Sequence, residues 1–251
     1  MKMKYLYDGT YEGFLSTVFD AYKVIEDIEI KKKTDQINFF EDCILTKTDL
    51  DKAKRVELAM EEKISRRFSD SVFLCFSSRQ ENPETSIARV IKLVFTKGLK
   101  VLSSPNPDCK KFMAMIKNVY SENHKYKGLL RFKKLENQIL FAIIEPENDI
   151  LEILLGHFAK RLMNEKFIIY DKNRKKAGFY ANKECRIYKV DNLNIEYDQD
   201  EDFLEDAWIR FYNCVKIENR DNKKLMAANM PKRYWRYLPE RGNKNGIIKG
   251  N

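Results

Sequence analysis

Near His124 the apolar residues change their spacing, and that change restricts the folds open to the chain. Upstream, from Thr48 to Leu102, they recur every three or four positions. Ala53, Val56, Met60 and Ile64 make one stripe; Ile87, Val90, Ile91 and Val94 make another that ends at Gly98. This spacing buries one face of a helix. Pro83 suits the first turn of the second stripe, and Asn106-Pro107 opens a further helix carrying Phe112, Met113, Ile116 and Val119 on one side. Its other faces hold Lys110, Lys111 and Lys117. Downstream of His124 the period is that of strands. Leu129 to Phe132 and Ile139 to Ile144 flank Glu136-Asn137 as a hairpin. Phe167 to Tyr170 and Ala177 to Tyr180 flank a second turn that holds Asp171 and Arg174, and Cys185 to Val190 supplies another strand.

Two more helices fall in this half. Asp149 is read as the cap of one, with Leu151, Leu154, Leu155, Phe158 and Leu162 on its apolar stripe. Leu204, Trp208, Phe211 and Val215 form the stripe of the last. At the N-terminus, Lys4 to Tyr7 is a short strand turned by Asp8-Gly9. Thr10 then caps a helix that buries Leu15, Val18, Phe19, Tyr22 and Ile25. Asp8 and Thr10 are read either as cap residues or as polar groups presented at the helix start. Helices and adjacent strands without regular βαβ alternation define an α+β fold, with mixed helices packed on a mainly antiparallel sheet. The 251 residues are read as one domain, with 48–124 as a helical subdomain or insertion and 242–251 as a frayed tail.

Composition narrows the partner class. A net charge of +9 favours polyanions, although a chain rich in Lys and Asn throughout carries such charge without a dedicated site. The five cysteines are scattered, with no CxxC and no Cys/His pairing, so no zinc or cluster site is expected and the thiols are read as free. Without a signal peptide or a long apolar run, the expected setting is the cytoplasm and no membrane is expected as a partner. There is no phosphate-binding glycine loop, nucleophile elbow or HExxH. His124 and His157 are the only histidines, which leaves few ways to build a two-histidine metal site or a Ser-His-Asp triad. Acids from Asp198 to Asp202 fit a helix start. No cofactor is implied.

Two stretches suggest recognition. From Lys232 to Tyr237, three cations (Lys232, Arg233, Arg236) mix with three rings (Tyr234, Trp235, Tyr237), bracketed by Pro231 and Pro239. Cations suit phosphates and flat rings suit unstacked bases. The plainer alternative has the rings capping a core and the charges in water. In His157-Phe158-Ala159-Lys160-Arg161, His157 and Arg161 stand four apart on one helix face, where an Arg fork can meet phosphate or carboxylate. The alternative is a boundary His beside a surface ion pair. Asp171 and Arg174 span a turn and either pair with each other or add an anion contact.

Four motifs recur in this order in one bacterial family. They are Tyr7-Asp8-Gly9-Thr10-Tyr11-Glu12-Gly13-Phe14-Leu15, His157 to Arg161, Asp171-Lys172-Asn173-Arg174 and Met230-Pro231-Lys232-Arg233-Tyr234-Trp235. The chain resembles, from Tyr5 to Glu240, the DNA metabolism or repair proteins that contain a domain of unknown function. Members are encoded beside a radical-SAM protein of DNA-modification or repair type. Elsewhere a similar domain is fused to a uracil-DNA-glycosylase-like domain. The resemblance implies a DNA-binding protein that assists repair or modification with a radical-SAM partner, acting on damaged or single-stranded DNA. It carries no catalytic residues. Lys232, Arg233 and Arg236 are then the phosphate contacts, with Tyr234 or Trp235 stacking on a base. His157 and Arg161 add an anion contact, Asp171 orients Arg174, and Asp8 holds its turn. The rival classes are a nucleic-acid-processing hydrolase using His157 and a carboxylate, and a protein-interaction subunit docking through its aromatic stretch.

Overall fold

The computed structural model describes residues 3–33, 43–191, 197–198, 204–210 and 230–239. Phe211, Cys214, Val215, Asn229, Glu240 and the tail at 242–251 lie outside the described residues. The fold is α+β, and the chain forms two compact units, Met1–Tyr120 and Ser121–Asn251.

In the first unit, β1 (Met3–Tyr7) runs parallel both to β2 (Ile28–Lys32) and to β3 (Cys43–Leu45), in the order β2-β1-β3. Helix α1 (Tyr11–Ala21) makes the crossover from β1 to β2. Gly9 turns the chain with a φ of 89°, and Thr10 caps α1 as expected, its hydroxyl accepting from the Gly13 N–H at 3.0 Å. The buried face of α1 is Phe14, Leu15, Val18 and Ala21, whereas Tyr22 is exposed. The stripe shifts because the helix stops at Ala21, and Ile25 reaches the core from a following 3-10 turn.

Four helices complete this unit: α2 (Leu50–Lys63), α3 (Arg66–Phe76), α4 (Glu84–Lys97) and the first part of α5 (Pro107–Leu129). Ile87, Val90, Ile91 and Val94 are all fully buried, as their spacing requires, and Gly98 ends α4 with a φ of 74°. α4 also protects the outer edge of β2. Thr85 Oγ1 accepts from Ile30 N at 2.9 Å, and Arg89 Nη2 donates to Ile28 O at 3.2 Å. Asn106 starts α5 by accepting from the N–H groups of Asp108 and Cys109. In the part of α5 that belongs to this unit the buried positions are Cys109, Phe112, Met115 and Val119, while Met113 is exposed.

The second unit holds a five-stranded sheet in the order β4-β5-β6-β7-β8. Its strands are β4 (Lys133–Lys134), β5 (Leu140–Ile144), β6 (Phe167–Asp171), β7 (Lys176–Ala181) and β8 (Glu184–Lys189). Three pairings are antiparallel, and β5–β6 is parallel because α6 (Leu151–Arg161) crosses over between them. Leu129 is helical, so the first hairpin is shorter than its apolar run implies and begins at Lys133. Asn182 and Lys183 both take positive φ, closing the two-residue β7–β8 turn.

α6 lies against one face of this sheet. Leu151, Leu154, Leu155 and Phe158 are buried there. Gly178 lets them approach, since a Cβ at that position would stand 3.1 Å from a Leu155 methyl. Asp149 does not cap α6, whose N-cap Ile150 makes no side-chain bond. Its carboxylate turns instead to the next hairpin, accepting from Lys176 Nζ at 2.7 Å with Arg174 Nε at 3.8 Å. Two cations outcompete a helix start. The opposite sheet face carries Phe141, Ile143, Tyr170 and Ala177, with Leu135, Tyr197 and Tyr237 packed on them.

Candidate nucleic-acid interface

An acid at the end of β5 organises the second unit. Glu145 follows Ile144 directly, and its backbone N–H donates to the Tyr126 hydroxyl at 3.2 Å. Three donors converge on its carboxylate. Arg236 Nη1 is 3.0 Å from each oxygen, the Tyr237 hydroxyl donates at 2.7 Å, and Lys172 Nζ lies 3.3 Å away. Burial alone would raise the Glu145 carboxyl. The Tyr237 hydrogen bond and the charges of Arg236 and Lys172 outweigh burial and hold it below the usual range. The Tyr237 phenol is pushed up, by burial and then by its bond to Glu145.

Pro231 leads into a 3-10 turn over Lys232–Tyr237 that presents Arg236 and Tyr237 to this acid. Tyr234 packs edge-on against Tyr126 with ring centroids 5.0 Å apart, and Leu238 is buried beyond it. Tyr126 thus fixes both the end of β5 and the turn. Tyr234 is only 4% exposed, so it is core and not a stacking face, a correction to the sequence expectation. Trp235 is half-buried and donates its indole N–H to Met230 O at 2.8 Å. Lys232 and Arg233 belong to the turn, and the placement of their side chains lies outside the described residues.

Beside the turn is a concavity. Arg131, Lys133, Arg236, Tyr197, Tyr237, Glu205 and Pro239 line it, together with Phe141 to Ile143 of β5. Lys133 Nζ donates to Glu205 at 2.7 Å and lies 5.7 Å from the Tyr197 ring centroid. The Arg131 guanidinium sits 5.4 Å over Trp208, a residue the sequence assigns to a buried stripe and the structure leaves 39% exposed. Cations set among aromatic rings in a hollow suit a flat, negatively charged ligand.

The other expected site residues fall elsewhere. His157 is half-buried on α6 with its ring edge-on to Phe158, and Arg161 is exposed one turn later; neither lines the concavity. Burial first, then the charges of Lys127, Arg161 and Lys160, lower the His157 imidazole below its ordinary value. Asp171 is fully buried and accepts from the Arg174 backbone N–H at 3.2 Å and from its Nη1 at 3.0 Å. Burial pushes this carboxyl up against the opposing pull of Arg174. Arg174 also donates to Pro146 O and Glu147 O, at 3.1 and 2.6 Å. Its guanidinium therefore braces the loop after β5 and is not aimed outward. In the first unit, Asp8 accepts from Thr10 N, Thr10 Oγ1 and Thr48 Oγ1, closing its own turn. Among the described residues, no group of three or more His, Cys, Asp and Glu is placed to hold a metal ion, and no helix is long and apolar enough to cross a membrane.

Glu145, Arg131, Lys133 and Tyr197 escaped the sequence reading. A signal existed only for Glu145, an acid at the carboxyl end of an apolar strand and just before a proline. The three others are lone residues gathered by folding. No curated protein matches the chain. The model of one family matches residues 81–240 and is described as a domain of unknown function, DUF4130. His157 to Arg161, Asp171 to Arg174 and Met230 to Trp235 lie inside that match, whereas the Asp8 turn precedes it. With well over half its length matched, the chain belongs to the DUF4130 family.

Proposed function

We propose that this chain is a DNA-binding protein that assists DNA repair or modification carried out by a radical-SAM partner. The observation that carries the binding is the hollow in which Arg131, Lys133 and Arg236 stand among the rings of Tyr197 and Tyr237. Arg236 is fixed at its base by Glu145 and keeps more than half its side chain exposed. Phosphate contact falls to these cations, and stacking falls to Trp235 and Tyr237 instead of Tyr234. The link to repair and to a radical-SAM protein rests on the motif resemblance. A hydrolase built on His157 has less support, because its ring packs edge-on against Phe158 and the charges acting on it are those of Lys127, Arg161 and Lys160.

Fluorescence anisotropy with labelled DNA at several salt concentrations tests the binding. Arg236→Ala is expected to lower the salt slope by about one. Its fold stability should change by under about 1 kcal/mol, because the Arg236–Glu145 pair is exposed on the arginine side. Wild-type protein that binds no DNA at low salt refutes the reading. Co-elution with the radical-SAM neighbour on size exclusion tests the partner separately.

A further inference from the structure

The cations of the second unit differ in what they face. Lys133, Lys172, Arg174, Lys176, Arg186 and Arg236 each stand against a carboxylate. Lys127, Lys160 and Arg161 do not; among the described residues, none of the three has an acid partner. They occupy the last turns of two helices, Lys127 in α5 and Lys160 and Arg161 in α6. Ring contacts bring those two ends together. Phe132, just beyond α5, meets Phe158 of α6 edge-on with centroids 5.1 Å apart, and the His157 ring lies 5.1 Å from that of Phe158. Lys160 and Arg161 are exposed, while Lys127 and His157 are half-buried. A helix carbonyl end carries a partial charge of about −0.5. Two such ends offset roughly one of the three positive charges and leave a surplus of about two. α6 packs at Gly178, on the sheet face away from Tyr197 and Tyr237, so this cluster is separate from the hollow.

We propose that His157, Lys127, Lys160 and Arg161 form a second phosphate site for nucleic acid, on the α6 side of the sheet. The inference rests on the DNA-binding reading and adds a contact on a face that the hollow does not reach. The Arg161 fork suits two phosphate oxygens, and the lysines supply point charge. His157, one turn before Arg161, adds a donor once protonated. It also reports on the site. In the free chain, burial first and then the charges of Lys127, Arg161 and Lys160 hold its imidazole below the ordinary value. A phosphate set among those cations reverses the balance, so binding raises the imidazole and takes up a proton. Affinity then grows as pH falls through the ordinary imidazole range.

The test uses the full chain carrying His124→Gln, which leaves His157 as the only imidazole seen by NMR. A short DNA is expected to raise the His157 titration midpoint by about 1 pH unit. Anisotropy should then show binding about tenfold tighter on the acid side of that range than on the alkaline side. Arg161→Gln should remove most of the rise and lower the salt slope of binding by about one, with an unchanged melting temperature. If DNA binds but leaves the midpoint in place, or if the rise survives undiminished in Arg161→Gln, the second site is overturned while DNA binding stands. A midpoint moved by inorganic phosphate and not by DNA overturns nucleic acid as the ligand. If no DNA binds at low salt, both readings fall.

Discussion

Each unit places an acid at the carboxyl end of a strand, just ahead of a crossover helix, and the two acids do opposite things. Asp8 follows β1 and takes its hydrogen bonds from Thr10 and Thr48, neutral hydroxyl and amide donors. Glu145 follows β5 and takes its bonds from Arg236 and Tyr237, 91 and 92 positions away, with Lys172 as a third donor. Both carboxyls end below their usual range after burial is overcome, one by hydroxyls and the other chiefly by a phenol and two cations. Hydroxyl donors close a turn on itself. Charged donors gather a surface, because long cationic side chains satisfy the acid while keeping nitrogen and aliphatic surface near solvent. The position of an acid on a strand therefore does not decide its role; its donors do.

The largest expected effect breaks the Asp8 side of this comparison. A Cβ on Gly13 would collide with the Asp8 carboxylate and stand 2.9 Å from the hydroxyl oxygens of both Thr10 and Thr48. Gly13→Ala should destabilise the chain by roughly 1–3 kcal/mol, measured by urea unfolding. Gly178→Ala serves as its counterpart in the second unit. There the new methyl meets flexible leucine methyls 3.1 to 3.3 Å away, so a smaller loss of about 1 kcal/mol is expected. A loss as large at Gly178 as at Gly13 would mean that Asp8 is not pinned.

Next in size is Glu145→Gln, which keeps the shape but removes the charge that holds Arg236, Tyr237 and Lys172. Hydrogen bonds to a charged group suggest a loss of about 1–3 kcal/mol near neutral pH. The pH dependence sharpens the point. The folded Glu145 carboxyl sits below its unfolded value, so its contribution is full above the unfolded pKa and is lost as pH falls through the folded one. The variant should match wild type in acid and fall behind above the ordinary glutamate range. Thermal melts across that window check it.

The smallest effect belongs to His157. Its folded pKa lies below the unfolded value, so between the two the unfolded chain binds more protons and stability drops as pH falls. His157→Gln should flatten that slope just below the ordinary imidazole range, with little change at higher pH. An unaltered slope would show that neither burial nor the neighbouring Lys127, Arg161 and Lys160 shifts it.

Local features were legible in the sequence because they depend on residues a turn or two apart. The Thr10 cap, the Ile87 to Val94 stripe, the Asn106 start of α5 and the β6–β7 hairpin all stand where their spacing put them. The errors begin where a distant group competes for a side chain. Asp149 turned from its helix to Lys176, Tyr234 was drawn into the packing around Tyr126, and α5 ran on through Leu129. Which strands lie parallel, and which cation meets Glu145, was decided only when elements far apart in the chain docked. Such contacts leave no period or cap behind them, since their energy comes from burial and charge pairing between segments whose order in the sequence carries no record of their neighbours.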